Sequence, residues 1–257
     1  ITVAYNAVHT IEDTLRSVAS QDYPDVEHII IDGGSNDGTV DIIGRYRQHL
    51  AVVVSEPDDG IYDAMNKGIA LASGDIIGTL NADDWYADQE VLGRVVDAFD
   101  ADHSLQAVYG DIVFVAREAP QQTVRYLQSR PYRDGLFEKG WMPPHPTLFV
   151  KRDVYQRYGV FDTAFRIQSD FDLCIRLLKV HQIKARYLPG IMVRMRMGGV
   201  TSSSPSNVIK GNIEAYRACR KNGLDVSPLF IARKILSRLP QFFSRPAGDA
   251  MSREGGE

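Results

Sequence analysis

The chain has 257 residues, enough for one large domain or two small ones and for a substantial core. Hydrophobic residues make up 44% and charged residues 24%, which excludes a chain disordered throughout, a collagen or a disulfide mini-protein. Twenty-nine basic against 33 acidic residues leave a net charge of -4, which argues against a nucleic-acid partner held by bulk charge. The two cysteines, Cys174 and Cys219, fall in helix-like stretches and read as reduced thiols. No apolar run approaches the ~18 residues of a spanning helix. The sequence opens at Ile1, already inside a strand-like run, so residues before it are expected and the lack of a leader carries little weight.

Residues 1–5 form a short β-rich run. Thr10-Ile-Glu-Asp13 has the spacing of a capping box, with Asp where Glu or Gln is usual, and Ile11, Leu15, Val18 and Ala19 follow at helical period. Glu27-His-Ile-Ile-Ile-Asp32 reads as a strand buried on both faces that ends in an acid. Asp37-Gly-Thr39 opens a second helix, striped by Val40, Ile43, Tyr46 and Leu50, and residues 51–55 form a third strand. Ile61, Met65, Ile69 and Ala72 mark a third helix, residues 76–80 a fourth strand, and Val91, Val95 and Phe99 a fourth helix. Strand alternating with helix at this spacing predicts an α/β fold with a central, mainly parallel sheet flanked by helices. Ligands of such sheets bind beyond the carboxyl ends of the strands. That brings Asn6, Asp32, Glu56 and residues 81–84 to one rim. Residues 107–115 read as a strand and 116–146 as a long polar, aromatic and Pro-rich loop region with little regular structure. A helix is expected around 170–181, returning strand over 183–193 with a turn at Pro189-Gly190, a mobile Gly/Ser/Thr-rich stretch over 198–206 and a helix over 207–222. Residues 247–257 are expected to be disordered, and there is no internal repeat.

Five segments carry candidate chemistry. In Asp32-Gly-Gly-Ser-Asn-Asp-Gly-Thr39 the glycines allow a sharp turn into a helix whose free N–H groups can hold a nucleotide; the turn could equally be a plain connection capped by Asp37 or Thr39. Its spacing matches neither the dinucleotide fingerprint nor a Walker loop. Asn81-Ala-Asp-Asp84 sets two adjacent carboxylates at a strand end, which suits a hard divalent cation shared with substrate phosphates or, alternatively, a polar helix-capping turn. In Ser55-Glu-Pro-Asp-Asp-Gly-Ile-Tyr-Asp-Ala-Met-Asn-Lys-Gly68, helical spacing sets Asp63 beside Asn66 and Lys67, so Lys67 either pairs with Asp63 or faces a phosphate. In Gln168-Ser-Asp-Phe-Asp172, Asp170 is either a helix cap or a general base. His145, between prolines, is either structural or a contact to substrate or metal.

Together these residues resemble the family 2 glycosyltransferases of the GT-A fold, in particular the bacterial subgroup of O-antigen and other surface-polysaccharide synthesis. The matching segments are Thr2-Val-Ala-Tyr-Asn6, Ile31-Asp-Gly-Gly-Ser-Asn-Asp-Gly-Thr39, residues 55–68, Gly74-Asp-Ile-Ile-Gly78 with Leu80-Asn-Ala-Asp-Asp84, and Ile167-Gln-Ser-Asp-Phe-Asp172, in order over roughly residues 1–200. The resemblance implies a GT-A catalytic domain over 1–206, with a nucleotide-binding half over 1–100 and an acceptor half over 101–206, then C-terminal helices over 207–246. It implies inverting transfer from a nucleotide-diphospho-sugar, with a UDP-sugar favoured, to a glycan or polyprenyl-linked acceptor. Asp170 matches the catalytic base. Asp84 matches the direct ligand of Mg²⁺ or Mn²⁺, with Asp83 alongside. Val3, Tyr5, Asn6, Asp32, Glu56, Asp63, Asn66, Lys67 and Asp83 match the nucleotide-sugar site, and His145 borders the acceptor side. Three positions depart from the common pattern: Gly33 and Ser169 stand where many relatives carry acids, and Asn81 where many carry Asp. A cytoplasmic location, peripheral to the inner face of the plasma membrane, follows from the same resemblance.

Residues 229–243 place Ile231, Ile235, Leu239 and Phe242 on one helical face with Arg233, Lys234 and Arg238, and no acid lies between Pro228 and Pro246. Such a basic amphipathic helix suits an anionic membrane surface, packing on its own domain, or a homodimer contact. Two other functions compete. A sugar nucleotidyltransferase would show a basic Gly-rich loop after the first strand, and residues 3–10 hold no basic residue except His9. A non-catalytic nucleotide-sugar-binding protein would tolerate loss of Asp84 and Asp170, and both are present.

Overall fold

Strand β1 (Thr2–Ala4) enters helix α1 (Ile11–Ala19) through a loop in which Asn6 takes a left-handed φ of 48°, a conformation Asn tolerates. A computed structural model describes residues 1–198, 204–227 and 229–231. The capping box expected at Thr10 does not form: Thr10 Oγ1 donates back to the Ala7 carbonyl, and Asp13 is taken by Arg196. Strand β2 (Ile29–Asp32) lies beside β1, and helix α2 (Thr39–Arg45) follows. The pleat of β2 splits its isoleucines, as period 2 requires. Ile30 packs with Ile11, Leu15 and Ile42 on one face; Ile29 and Ile31 pack with Met65 and Ile69 on the other. All three are at most 1% exposed, worth roughly 1.5–3 kcal/mol each.

Strand β3 (Val52–Ser55) and helix α3 (Ile61–Leu71) complete the third unit. The expected strand over residues 76–80 is two strands in two sheets. β4 (Ile76–Gly78) pairs antiparallel with β9 (Phe149–Lys151), whereas β5 (Leu80–Asn81) pairs parallel with β1. The first sheet runs β3-β2-β1-β5, all parallel. The second is mixed. It contains β4, β9, β7 (Ala107–Val115), β10 (Ala185–Arg196) and β6 (Asp84–Tyr86), with β8 (Thr123–Leu127) paired to β7. Helix α4 (Val91–Ala101) packs through Val95 and Phe99 beside β7.

The region 116–146 is less irregular than its composition suggests. β8 forms a hairpin with β7, and Tyr132, Phe137 and Trp141 stack into the core with Tyr109. β10 continues past Pro189-Gly190, which is a register shift in the strand rather than a turn ending it. Buried Asp111 holds this shift: it accepts the Tyr126 and Tyr187 hydroxyls at 2.6 and 2.8 Å and the Ser129 and Gly190 amides at 2.7 and 3.3 Å.

Helices α5 (Arg152–Tyr158), α6 (Ser169–Cys174) and α7 (Pro205–Lys221) finish the order, and a π-helical turn over Ile175–Val180 extends α6. Residues 199–203 of the Gly/Ser/Thr stretch, most of the expected basic amphipathic helix and the tail 247–257 lie outside the described residues. Among the described residues no helix is long and apolar enough to cross a membrane.

Arg176, inside the π-helical turn, donates to Asp172 at 2.9 Å and to the Tyr158 and Val160 carbonyls at 2.7 and 2.5 Å. Asp172 is fully buried and also accepts from Asn222 of the chain after α7 at 2.9 Å. Breaking a buried pair by removing one partner leaves an uncompensated charge. Asp172→Ala is therefore expected to cost about 3 kcal/mol, or roughly 6–12 °C in Tm, read by thermal unfolding. A shift within about 1 °C would show that the pair does not anchor α6.

Candidate functional site

The carboxyl ends of β1, β2, β3 and β5 share one rim because those strands are parallel. Asp32 closes β2 and is completely buried. Its Oδ2 accepts the Gly34 and Ser35 amides at 3.2 and 3.0 Å and the Ser55 hydroxyl at 2.6 Å, and its Oδ1 accepts the Ser35 hydroxyl at 2.5 Å. The strand-end acid thus organises its own turn. Gly34, at φ +81°, makes that turn possible. The N-cap position of α2 is Gly38, and Asp37 Oδ1, from just before it, accepts the amide of Thr39, the first residue of the helix, at 3.0 Å; Asp37 and Thr39 also reach outside the helix. They bind the loop after β1, Asp37 accepting the Val8 amide at 3.0 Å and Thr39 Oγ1 the Ala7 amide at 2.8 Å. Asn6 joins them through Ser35, whose hydroxyl accepts the Asn6 amide at 2.8 Å.

On α3, Lys67 contacts Glu56 at 2.9 Å and Asp63 at 3.5 Å, so both carboxylates raise its pKa. Asn66 is committed elsewhere: its amide donates to the Phe161 carbonyl and accepts the Phe161 N–H, at 2.9 and 3.0 Å. The Val3 side chain lies in the core, and its carbonyl accepts the Ala82 amide at 3.2 Å. Tyr5, by contrast, stands 66% exposed at the rim.

Asp84 is fully buried and Asp83 half-buried. Burial first, and then the neighbouring Asp83 carboxylate, push the Asp84 pKa well up; burial raises that of Asp83. Asn81 Nδ2 donates to Asp84 Oδ2 at 3.0 Å, while Asn81 Oδ1 and Asp84 Oδ1 are buried with no hydrogen-bond partner. Two orphaned acceptor oxygens on one short loop fit a hard divalent cation. Among the described residues there is no cluster of three or more His, Cys, Asp or Glu able to hold a metal, so a cation here would draw its other ligands from a bound phosphate. Arg196, which sequence reasoning missed, donates to the Asp83 carbonyl at 3.1 Å, pairs with Asp13 and lies 4.5 Å over the Trp85 ring. Three arginines, Arg186, Arg194 and Arg196, occur on this strand, so nothing in the sequence singled out Arg196. Beside it, Asp13, Arg16, Trp85 and Asp88 line an open cleft of about 430 Å³.

Asp170 is not the cap of α6, a position held by Gln168. Its Oδ1 accepts the Phe171 amide at 2.8 Å and the Tyr62 hydroxyl at 3.3 Å. Tyr62 sits on α3, one residue before Asp63, and its single hydroxyl proton is shared between Asp170 and the nearer Ile167 carbonyl at 2.8 Å. Burial and Asp170 together push the Tyr62 pKa well up, so it remains a donor. His145, at the start of a 3₁₀ turn, is buried; its Nε2 meets Thr79 Oγ1 at 3.0 Å, and Asp170 is close enough to act on its charge. Burial lowers its pKa and outweighs Asp170, which favours the neutral ring. Its Nδ1 has no partner. Thr79 lies two residues before Asn81, so α3, the His145 turn and the Asp84 loop connect through Tyr62, Phe161, His145 and Thr79, with the Tyr62–Phe161 and His145–Phe161 ring centroids 5.5 and 5.4 Å apart.

The raised Asp84 pKa has a measurable sign. From about pH 4 upward the unfolded carboxyl releases its proton while the folded one keeps it, so stability falls as pH rises until the folded group also ionises. Asp84→Asn is expected to remove that fall and to raise the metal-free Tm at neutral pH. Mn²⁺ should raise the Tm of the parent chain and leave the variant unmoved. An equal Mn²⁺ shift in both would exclude Asp84 as a ligand.

Residues 1–159 match the family described as Glycosyl transferase family 2. A PGL/p-HBAD biosynthesis glycosyltransferase of Mycobacterium bovis (strain BCG / Pasteur 1173P2) is 28% identical over 211 residues, covering 77% of this chain and 76% of that protein. Staphylococcus aureus TarS 1–349 in complex with UDP superposes with a TM-score of 0.62 at 17% identity, over 93% of this chain and 71% of that one. The mannosyltransferase PcManGT of Pyrobaculum calidifontis, in complex with GDP-Man and Mn²⁺, gives 0.60 at 20% identity, over 93% and 69%. The fold is accordingly GT-A, and the chain belongs to glycosyl transferase family 2, a family of glycosyltransferase enzymes.

Proposed function

We propose that the chain transfers a sugar, with inversion, from a nucleoside-diphosphate donor to a hydroxyl of a glycan or polyprenyl-linked acceptor during synthesis of a cell-surface polysaccharide or glycolipid. The observation that carries this reading is the Asp170 carboxylate, fixed to α3 through Tyr62 and neighbouring His145. Solved relatives of the same fold hold UDP in one case and GDP-Man with Mn²⁺ in another, which supports a nucleotide-sugar donor and a Mg²⁺ or Mn²⁺ requirement.

Asp170 Oδ1 is occupied by its two donors, and Oδ2 has no hydrogen-bond partner among the described residues. That free oxygen takes the acceptor hydroxyl's proton while the hydroxyl attacks the anomeric carbon from the face opposite the diphosphate. Tyr62 and the Phe171 amide hold the carboxylate in place. Asp84, with Asn81 and Asp83, would hold the cation, which supplies positive charge to the departing diphosphate. Lys67 is the cation of α3 nearest Glu56 and faces the diphosphate after exchanging a carboxylate partner. Tyr5, Asn6 and the turn ordered by Asp32 form the nucleoside side. His145 and Thr79 set the position of Asp170 relative to the Asp84 loop.

The face of α7 that exposes Ile209 and Ile213 also carries exposed Lys210 and Arg217, which suits apposition to an anionic membrane bearing a lipid-linked acceptor.

Asp170→Asn keeps the shape and the hydrogen bond from Tyr62 but removes the base. Turnover is expected to fall by about 10²–10⁴-fold with donor affinity unchanged, measured by product formation and by calorimetric titration of the donor. Turnover within a few-fold of the parent would remove Asp170 from the base role.

A further inference from the structure

Gly33 directly follows Asp32, and its amide extends the β1–β2 ladder by donating to the Ala4 carbonyl at 2.8 Å. Its φ is unexceptional, so glycine is there for space. A methyl group on residue 33 would stand 2.6 Å from Asp58 Oδ2 and 3.3 Å from Tyr5 Cδ2. Bare backbone therefore lets a carboxylate from the loop after β3 reach in beside the exposed ring of Tyr5. The carboxylate is aimed: Asp58 Oδ1 accepts the Gly60 amide at 2.8 Å, just ahead of α3. Oδ2 has no hydrogen-bond partner among the described residues.

An exposed aromatic face next to a fixed carboxylate with one free oxygen is a recognition element for a planar heterocycle bearing a single ring N–H. We propose that Asp58 determines base specificity, its Oδ2 accepting the imide N–H of a uracil or thymine ring laid on Tyr5. This rests on the nucleotide-sugar reading above and adds to it the residue that chooses the base. Cytosine and adenine present a lone pair where the imide N–H would be, and a carboxylate repels it. Guanine presents two parallel N–H donors, which are met best by both carboxylate oxygens, and its second donor would share Oδ1 with the Gly60 amide. The ring methyl distinguishes thymine from uracil, and Asp58 itself does not discriminate between them.

The test is calorimetric titration of UDP, TDP, CDP and GDP into the parent chain, Asp58→Asn, Gly33→Ala and the neighbouring control Asp59→Asn. The parent should bind UDP or TDP at least about tenfold more tightly than CDP. Asp58→Asn should lower UDP and TDP affinity by about tenfold or more and bring the UDP-to-CDP ratio close to one, because a carboxamide offers either a donor or an acceptor. Gly33→Ala, which displaces the carboxylate, should move the ratio in the same direction; Asp59→Asn should leave it unchanged. A ratio does not depend on the fraction of chain folded, so a destabilised variant still reports. A UDP-to-CDP ratio in Asp58→Asn equal to that of the parent overturns this proposal alone. A parent chain that binds no nucleoside diphosphate overturns the donor reading as well.

Discussion

Between β4 and β5 the chain changes sheets across one residue, Thr79, which is tied down by a buried hydrogen bond between its hydroxyl and His145 Nε2. β4 is antiparallel to β9 in the mixed sheet, while β5 is parallel to β1 in the other. The parallel sheet brings strand ends and their polar loops to a rim; the mixed sheet carries β9, just after the His145 turn, and β6, which starts at Asp84. The crossing at residue 79 adds to the strand pairing of Asn81 with Val3 and of Asp84 with Met195, and to the Thr14 hydroxyl on the Asp84 carbonyl, in fixing this loop. Burial makes the Thr79–His145 bond consequential, since an unmade buried hydrogen bond costs about 1–3 kcal/mol.

The loop after β5 carries an electrostatic cost. Asp84 is wholly buried next to a second carboxylate, with one hydrogen bond from Asn81 and partial relief from Arg196. A fold selected only for stability would exchange this carboxylate for an apolar side chain. The orphaned oxygens on Asn81 and Asp84 leave that cost unmet within the chain, which supports the cation site proposed above. By contrast, the equally buried Asp32 and Asp111 each receive four donors from their own neighbourhood and act as structural pins.

Much of the rim was legible in the sequence. Apolar β-rich runs ending in Asn, Asp or Glu, each followed by a helical stripe, dictate parallel strands, and parallel strands dictate a common edge. The sheet change at Thr79 was not legible, because residues 76–80 are one apolar run and both sheets bury their strands, so periodicity gives no break. β8 was hidden by polar residues around Thr123-Val-Arg-Tyr-Leu127, and its partner Asp111 is a long-range neighbour that local patterns do not encode. Asn66 looked like a ligand-facing amide on a helix, yet it binds the backbone of Phe161, 95 residues away. The motif that frames Asn66 was readable, but the use of each side chain depended on segments that only the folded chain brings near.

The turn after β2 has a further consequence for how a ligand arrives and leaves. Asp32 fastens residues 34, 35 and 55 before anything binds, and Asp37 and Thr39 fasten the loop after β1. Fixing a backbone residue costs about 1–2 kcal/mol in conformational entropy. Here folding has already met that cost, so a molecule docking on this edge encounters a rigid surface, and its dwell time there is set by the contacts it must break rather than by any rearrangement of the loop.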